Sequence, residues 1–120
     1  MTISLIGAGA AGCFAAIQLA RLLSHADIRV YERLHKPLAK VALTGGGRCN
    51  LTNSFSQVSS LEAVYPRGAR LMKRLLKEFS HTDTMRWFEQ AGVPLLTQPD
   101  QCVFPVSQNA RDIVHCLLRQ

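Results

Sequence analysis

The sequence predicts an α/β fold with a parallel sheet, on three observations. An apolar strand runs straight into Gly7-Ala8-Gly9-Ala10-Ala11-Gly12, apolar residues at helical spacing follow that turn, and a second short strand closes on Glu32. Strand, tight turn, helix and strand in this order make a β-α-β unit, whose strands must be parallel and whose crossover is almost always right-handed. The chain has 120 residues, 48% of them hydrophobic, which is length for one modest domain with a packed core and argues against general disorder.

Thr2 to Ile6 is the first strand. Cys13 to Leu23 is the helix, with Phe14, Ile17, Leu19, Leu22 and Leu23 at helical spacing. Asp27 to Glu32 carries Ile28, Val30 and Tyr31 as the second strand, reached through Ser24 to Ala26. From Leu34 to Ser60 the periodicity is lost. Pro37, the Gly45-Gly46-Gly47 run and the polar stretch from Asn50 to Ser60 predict a long ordered loop, and loops of that length tend to be functional.

Gly68 to Phe79 reads as an amphipathic helix. At about 100° per residue, Leu71, Met72, Leu75, Leu76 and Phe79 take one side and Arg67, Arg70, Lys73, Arg74 and Lys77 the other, so the apolar side is expected to be packed. A second helix is predicted from Thr82 or Asp83 to Gln90, with Met85 and Phe88 facing inward and Gly92 ending it. Val93 to Leu96 and Cys102 to Val106 read as paired strands around Pro99-Asp100. Ser107 or Asn109 then caps a last helix carrying Ile113, Val114, Leu117 and Leu118. That helix stops at Gln120 without a glycine, proline or polar tail, so the chain reads as the opening portion of a longer protein. The expected division is 1–33 for the β-α-β unit, 34–60 for the glycine-rich loop and 61–120 for helices plus a hairpin.

Fourteen Lys and Arg against eight Asp and Glu give a net charge of +6, which favours an anionic partner without choosing among a nucleotide, RNA and an acidic protein. Cys13, Cys49, Cys102 and Cys116 lie far apart with no C-x-x-C pair, so they are expected to be reduced thiols with neither a zinc site nor a disulfide framework. His25, His35, His81 and His115 are scattered, and no metal is expected. The apolar start to Leu23 lacks a basic leader and is interrupted by Gln18 and Arg21, too short a run for a membrane span. A cytoplasmic protein is expected.

The glycine element carries the chemistry. Gly7 permits the tight turn, Gly9 lets the backbone approach a pyrophosphate, and Gly12 allows helix to pack on strand. With Ala10 and Ala11 opening the helix, unpaired N–H groups and the helix dipole favour phosphate there. Glu32, 20 positions beyond Gly12, is placed to accept the hydroxyls of an adenosine ribose. A carboxylate there repels a 2′-phosphate, so NADP is disfavoured while NAD and FAD are both acceptable. Thr44-Gly45-Gly46-Gly47-Arg48-Cys49-Asn50-Leu51-Thr52-Asn53 is the second element, combining flexible backbone, one fixed cation and short hydrogen-bonding side chains. Such a segment suits a flat polar ring or a diphosphate. Taken alone, it reads sooner as an exposed turn with one arginine.

Together with Phe88-Glu89-Gln90-Ala91-Gly92-Val93 and Val103-Phe104-Pro105-Val106-Ser107, these two elements resemble the BaiN-like flavoproteins, also labelled aminoacetone oxidase family FAD-binding enzymes. The resemblance covers essentially the whole chain. It implies a Rossmann-type FAD-binding domain, present here as the incomplete N-terminal portion of a larger flavin-dependent oxidoreductase. By the same resemblance FAD lies along the strand ends, held by Gly7, Gly9, Ala10, Ala11, Gly12, Glu32 and Arg33, and by Lys40 and Thr44. The loop of Gly45, Gly46, Gly47, Arg48, Cys49, Asn50 and Thr52 is then nearer the flavin end. NAD(P)H is implied as electron donor to the full-length protein, a small-molecule substrate is unidentified, and the piece alone is expected to be inactive. Leu38-Ala39 stands where the family tends to have a glycine before the lysine matching Lys40, and Asp100-Gln101 replaces a commoner Gly-Arg.

Two further readings remain. Arg48 beside Cys49 lowers a thiol pKa in principle, but no second cysteine sits at redox-motif spacing, so a packed inert thiol is expected. The cationic face at 67–77 reads as a solvated helix surface or as an RNA-binding face, the latter making the chain a nucleotide- or RNA-binding module without catalysis of its own.

Overall fold

The computed structural model describes all of residues 1–120, and the chain divides into two compact units, Met1–Cys49 with Asn109–Gln120, and Asn50–Gln108. The last helix therefore belongs with the N-terminal unit, whereas the sequence grouped it with residues 61–120. Nothing local in that helix reveals its partners, which lie about seventy and about a hundred residues back in the chain.

In the first unit β1 (Thr2–Ile6) and β2 (Asp27–Tyr31) pair in parallel, with Thr2 opposite Asp27 and Ile6 opposite Tyr31. Helix α1 (Ala10–Leu22) connects them and buries Cys13 and Ile17. It begins three residues before the apolar periodicity, because the turn itself opens the helix with Gly9 as N-cap. Gly7, at φ 97°, donates its N–H to the Tyr31 carbonyl at 2.7 Å, carrying the strand pairing one residue into the turn.

Within the segment expected to be loop, only residues 41–47 are wound. A 3-10 turn covers Val41–Leu43 and a single helical turn, α2, covers Thr44–Gly47, left-handed at Gly45 (φ 56°) and Gly46 (φ 67°). Leu38 is 2% exposed and holds φ 57° while its N–H donates to the Ala8 carbonyl at 2.8 Å. Burial of a leucine and one fixed hydrogen bond offset a backbone conformation that favours glycine. Helix α6 (Ala110–Arg119) packs on the 3-10 turn and on α1. Asn109 caps it, accepting the Arg111 N–H at 3.0 Å. Its inner face is Ile113, Cys116 and Leu117, so Cys116 takes the place expected of Leu118, which is 53% exposed.

The second unit holds a three-stranded antiparallel sheet in the order β3-β5-β4, formed by β3 (Thr52–Asn53), β4 (Leu95–Thr97) and β5 (Cys102–Pro105). The hairpin β4–β5 is the expected one. Gln101 sits at φ 68° in its turn, and the Asp100 carboxylate accepts the Cys102 N–H at 3.0 Å. Strand β3, absent from the sequence reading, is two residues long and polar, too short to show alternation, and exists through its pairing with β5.

Three helices complete this unit: α3 (Leu61–Val64), α4 (Ala69–Glu78) and α5 (His81–Gln90). The start of α5 precedes the expected Thr82 because Ser80 and Asp83 form a reciprocal capping box, and Gly92 at φ 89° ends it. Phe88, Val93, Val103 and Phe104 make the core. Helix α4 departs from expectation. Met72 and Leu76 are partly covered, but Leu71 and Leu75 are each 49% exposed and Phe79 is 40% exposed, since the single turn of α3 is too short to cover so broad a face.

Candidate nucleotide-binding site

A pocket of about 540 Å³ lies in the first unit where the glycine turn meets the end of β2. Ala8, Gly9 and Ala10 line it from the turn, and Glu32 and Arg33 from beyond the strand. Lys36, Lys40 and Thr44 contribute from the segment that follows. The structure thus brings together Gly9, Ala10, Glu32, Arg33, Lys40 and Thr44 of the residues read from the sequence.

The three glycines differ in role. A Cβ on Gly12 would stand 1.9 Å from the Gly7 carbonyl oxygen, so only glycine lets the helix start this close to the turn. A Cβ on Gly9 would meet nothing within 4 Å, and its φ of −83° is ordinary. The space over Gly9 is therefore free for a ligand. The first N–H groups of α1, from Gly9 through Ala11, have no carbonyl one turn earlier to receive them, and with the helix dipole they favour an anion.

Glu32 is more committed than its spacing foretells. Its Oε2 accepts the Ala8 N–H and its Oε1 the Leu34 N–H, both at 2.8 Å. The Leu34 and Ala8 N–H groups, aided by Arg33, hold the carboxyl below its ordinary pKa. Ala8 is thereby removed as a phosphate donor, while each Glu32 oxygen retains capacity for a further donor.

Cys49 is 5% exposed at φ 60°, and burial raises its thiol pKa against an opposing hydrogen bond from Thr44. A raised pKa keeps the thiol protonated and unreactive. Burial and the nearby Glu32 charge likewise raise Cys13. Arg48 folds back, its Nε donating to the Gly45 carbonyl at 3.1 Å. Ala11, Gly45 to Gly47, Arg48 and Cys49 do not line the pocket, and Asn50 and Thr52 belong to the second unit. Sequence reading missed Lys36, Leu38 and Ala39 in the lining. Lys36 had a signal in the basic spacing of Arg33, Lys36 and Lys40, whereas Leu38 had none.

No helix is long and apolar enough to cross a membrane. The HI0933-like protein Rossmann domain matches residues 1–120. A 3-dehydro-bile acid delta(4,6)-reductase of Clostridium scindens is 32% identical over 115 residues, 96% of this chain and 27% of that protein. A ribosomal RNA dihydrouridine synthase of Haemophilus influenzae is 47% identical over 49 residues, 41% of this chain and 12% of that protein. The chain spans about a quarter or less of the length of these relatives.

Proposed function

We propose, from the premise that the chain belongs to the HI0933-like family of Rossmann domains, that it forms the FAD-binding portion of a flavin-dependent oxidoreductase. The carrying observation is the pocket in which the start of α1, Glu32 and the cations Arg33, Lys36 and Lys40 meet. These residues fit the cofactor. Backbone N–H groups of Gly9, Ala10 and Ala11 bind the pyrophosphate, and no protein atom fills the space over Gly9. The remaining lone pairs of Glu32 accept the ribose hydroxyls. Arg33 and Lys40 offset phosphate charge, and Thr44 supplies a hydroxyl that already donates to the Val41 carbonyl at 2.8 Å. The left-handed turn at Gly45 to Gly47, with Arg48, Asn50 and Thr52, serves the flavin end in this reading. When bound, FAD supplies two-electron chemistry, with NAD(P)H as the source of the hydride.

The relatives' names support a substrate class for the whole protein. A delta(4,6)-reductase and a dihydrouridine synthase are both named for saturating a carbon–carbon double bond. Such a bond is the proposed substrate.

The test is an absorbance spectrum of the purified chain with and without added FAD after desalting, run beside Gly9→Ala. Flavin bands retained by the parent sequence and lost in the folded variant support the reading. Equal retention by both removes the pyrophosphate from Gly9, and absence of flavin from a longer natural polypeptide as well overturns FAD.

A second reading, an RNA substrate, is favoured by α4, where Arg70, Arg74 and Lys77 take part in no ion pair. The similarity to an enzyme of ribosomal RNA agrees with it.

A further inference from the structure

The charged residues that line the pocket of the first unit are Glu32 and three cations, Arg33, Lys36 and Lys40. None of the cations takes part in an ion pair. Both oxygens of Glu32 are already engaged, by the N–H groups of Ala8 and Leu34. Three cations against one carboxylate leave two positive charges uncompensated, and in a concave site such charges draw an anion.

Lys36 stands on a tethered arch. The Leu34 N–H donates to Glu32 Oε1 and the Leu38 N–H to the Ala8 carbonyl, both at 2.8 Å. Only His35, Lys36 and Pro37 lie between these anchors, and the proline ring fixes its own φ. Leu38 is held further by its burial and by its carbonyl, which accepts the Ala42 N–H at 3.1 Å. At the middle of the arch the Lys36 side chain is exposed and lines the pocket together with Gly9 and Ala10. Lysine there offers three donors on a flexible stem, and no carboxylate of the chain takes them.

An exposed lysine alone is ordinarily a solvated side chain. Here its backbone is fixed from both sides, it lines the same pocket as the open space over Gly9, and the pocket's surplus of two positive charges equals the charge on the bridging pyrophosphate of a dinucleotide. Every residue of the lining belongs to the first unit. We infer that Lys36 is a phosphate-binding residue of this pocket, and that the pocket takes the ADP half of a dinucleotide using residues of the first unit alone. This rests on the nucleotide reading above, adds Lys36 to the residues that hold the phosphates, and separates the ADP half from the flavin end.

The experiment is calorimetric titration of the 120-residue chain with ADP-ribose, which has a bridging pyrophosphate and no flavin, and in parallel with FAD. ADP-ribose is expected to bind. Lys36→Gln weakens it about fivefold, Lys36→Glu, which reverses the charge, about twentyfold, and Lys36→Arg retains affinity. The gap between the parent chain and Lys36→Gln narrows as salt is raised, because the contact is exposed to screening. Circular dichroism of each variant separates these effects from loss of fold. ADP-ribose binding that is equal in Lys36→Gln, or weakened alike by glutamine and arginine, removes Lys36 and leaves the nucleotide reading standing. Binding of FAD without ADP-ribose overturns the inference and leaves the FAD reading intact. Binding of neither overturns the inference, and the FAD reading is then decided by the flavin content of the longer natural polypeptide.

Discussion

The Glu32 carboxylate accepts the Ala8 N–H at 2.8 Å, tying the end of β2 to the glycine turn across 24 residues of sequence. The same carboxylate takes the Leu34 N–H, so one side chain sets both the turn and the departure of the chain after the strand. The pocket is shaped by this clasp as much as by its glycines.

A carboxyl whose folded pKa is lowered contributes stability that is present above its ordinary value, 4.5 here, and is lost as pH falls through the lowered value. Acidification from about pH 6 is therefore expected to leave the Ala8 amide protected at first, then speed its hydrogen exchange, relative to the intrinsic rate, only below the ordinary carboxyl range. In Glu32→Ala the same amide exchanges fast at every pH. Protection of Ala8 that survives in Glu32→Ala would remove the clasp.

Gly12→Ala and Gly9→Ala should part company. The first drives a methyl into the Gly7 carbonyl and is expected to cost about 3 kcal/mol or more, read as a fall in the denaturation midpoint. The second meets open space at an ordinary φ and should change stability by less than about 1 kcal/mol.

At Gly46 space is not the constraint. No atom lies within 4 Å of a Cβ there, but φ is 67°, so Gly46→Ala is expected to cost about 1–2 kcal/mol from backbone conformation alone. Gly46→Asn should cost less, because asparagine tolerates the left-handed region. Equal losses for the two variants would point to something other than φ.

Ser80→Ala removes the acceptor of the Asp83 N–H at the start of α5 and is expected to destabilise by about 1 kcal/mol in urea titration. Ser80→Asp keeps an acceptor, but sets a second carboxylate beside Asp83, and should recover only part of that loss.

The β-α-β unit was legible because its signals are local: glycines at fixed spacing, Ile28 and Val30 alternating in a short strand, an acid at the strand end. The hairpin at Pro99-Asp100 and the amphipathic α4 were legible for the same reason. What escaped depends on distant partners. Strand β3 is defined by β5 some fifty residues away, and Leu38 reads as an ordinary loop leucine until the Ala8 carbonyl is seen above it. The exposed Leu71, Leu75 and Phe79 show the converse, a pattern that announces burial without saying what supplies it.

Unit 1 is closed by α6, which packs on α1 although residues 50–108 intervene. During synthesis the β-α-β segment leaves the ribosome early, yet α1 and the 3-10 turn at Val41–Leu43 stay without α6 until residues 110–119 have been translated, a delay on the order of several seconds. The contacts of the second unit are complete once Gln108 has been made, ahead of the Ala110–Arg119 helix that the first unit still lacks. For this chain the order of manufacture runs opposite to the order of numbering: the middle is finished first, and the beginning last.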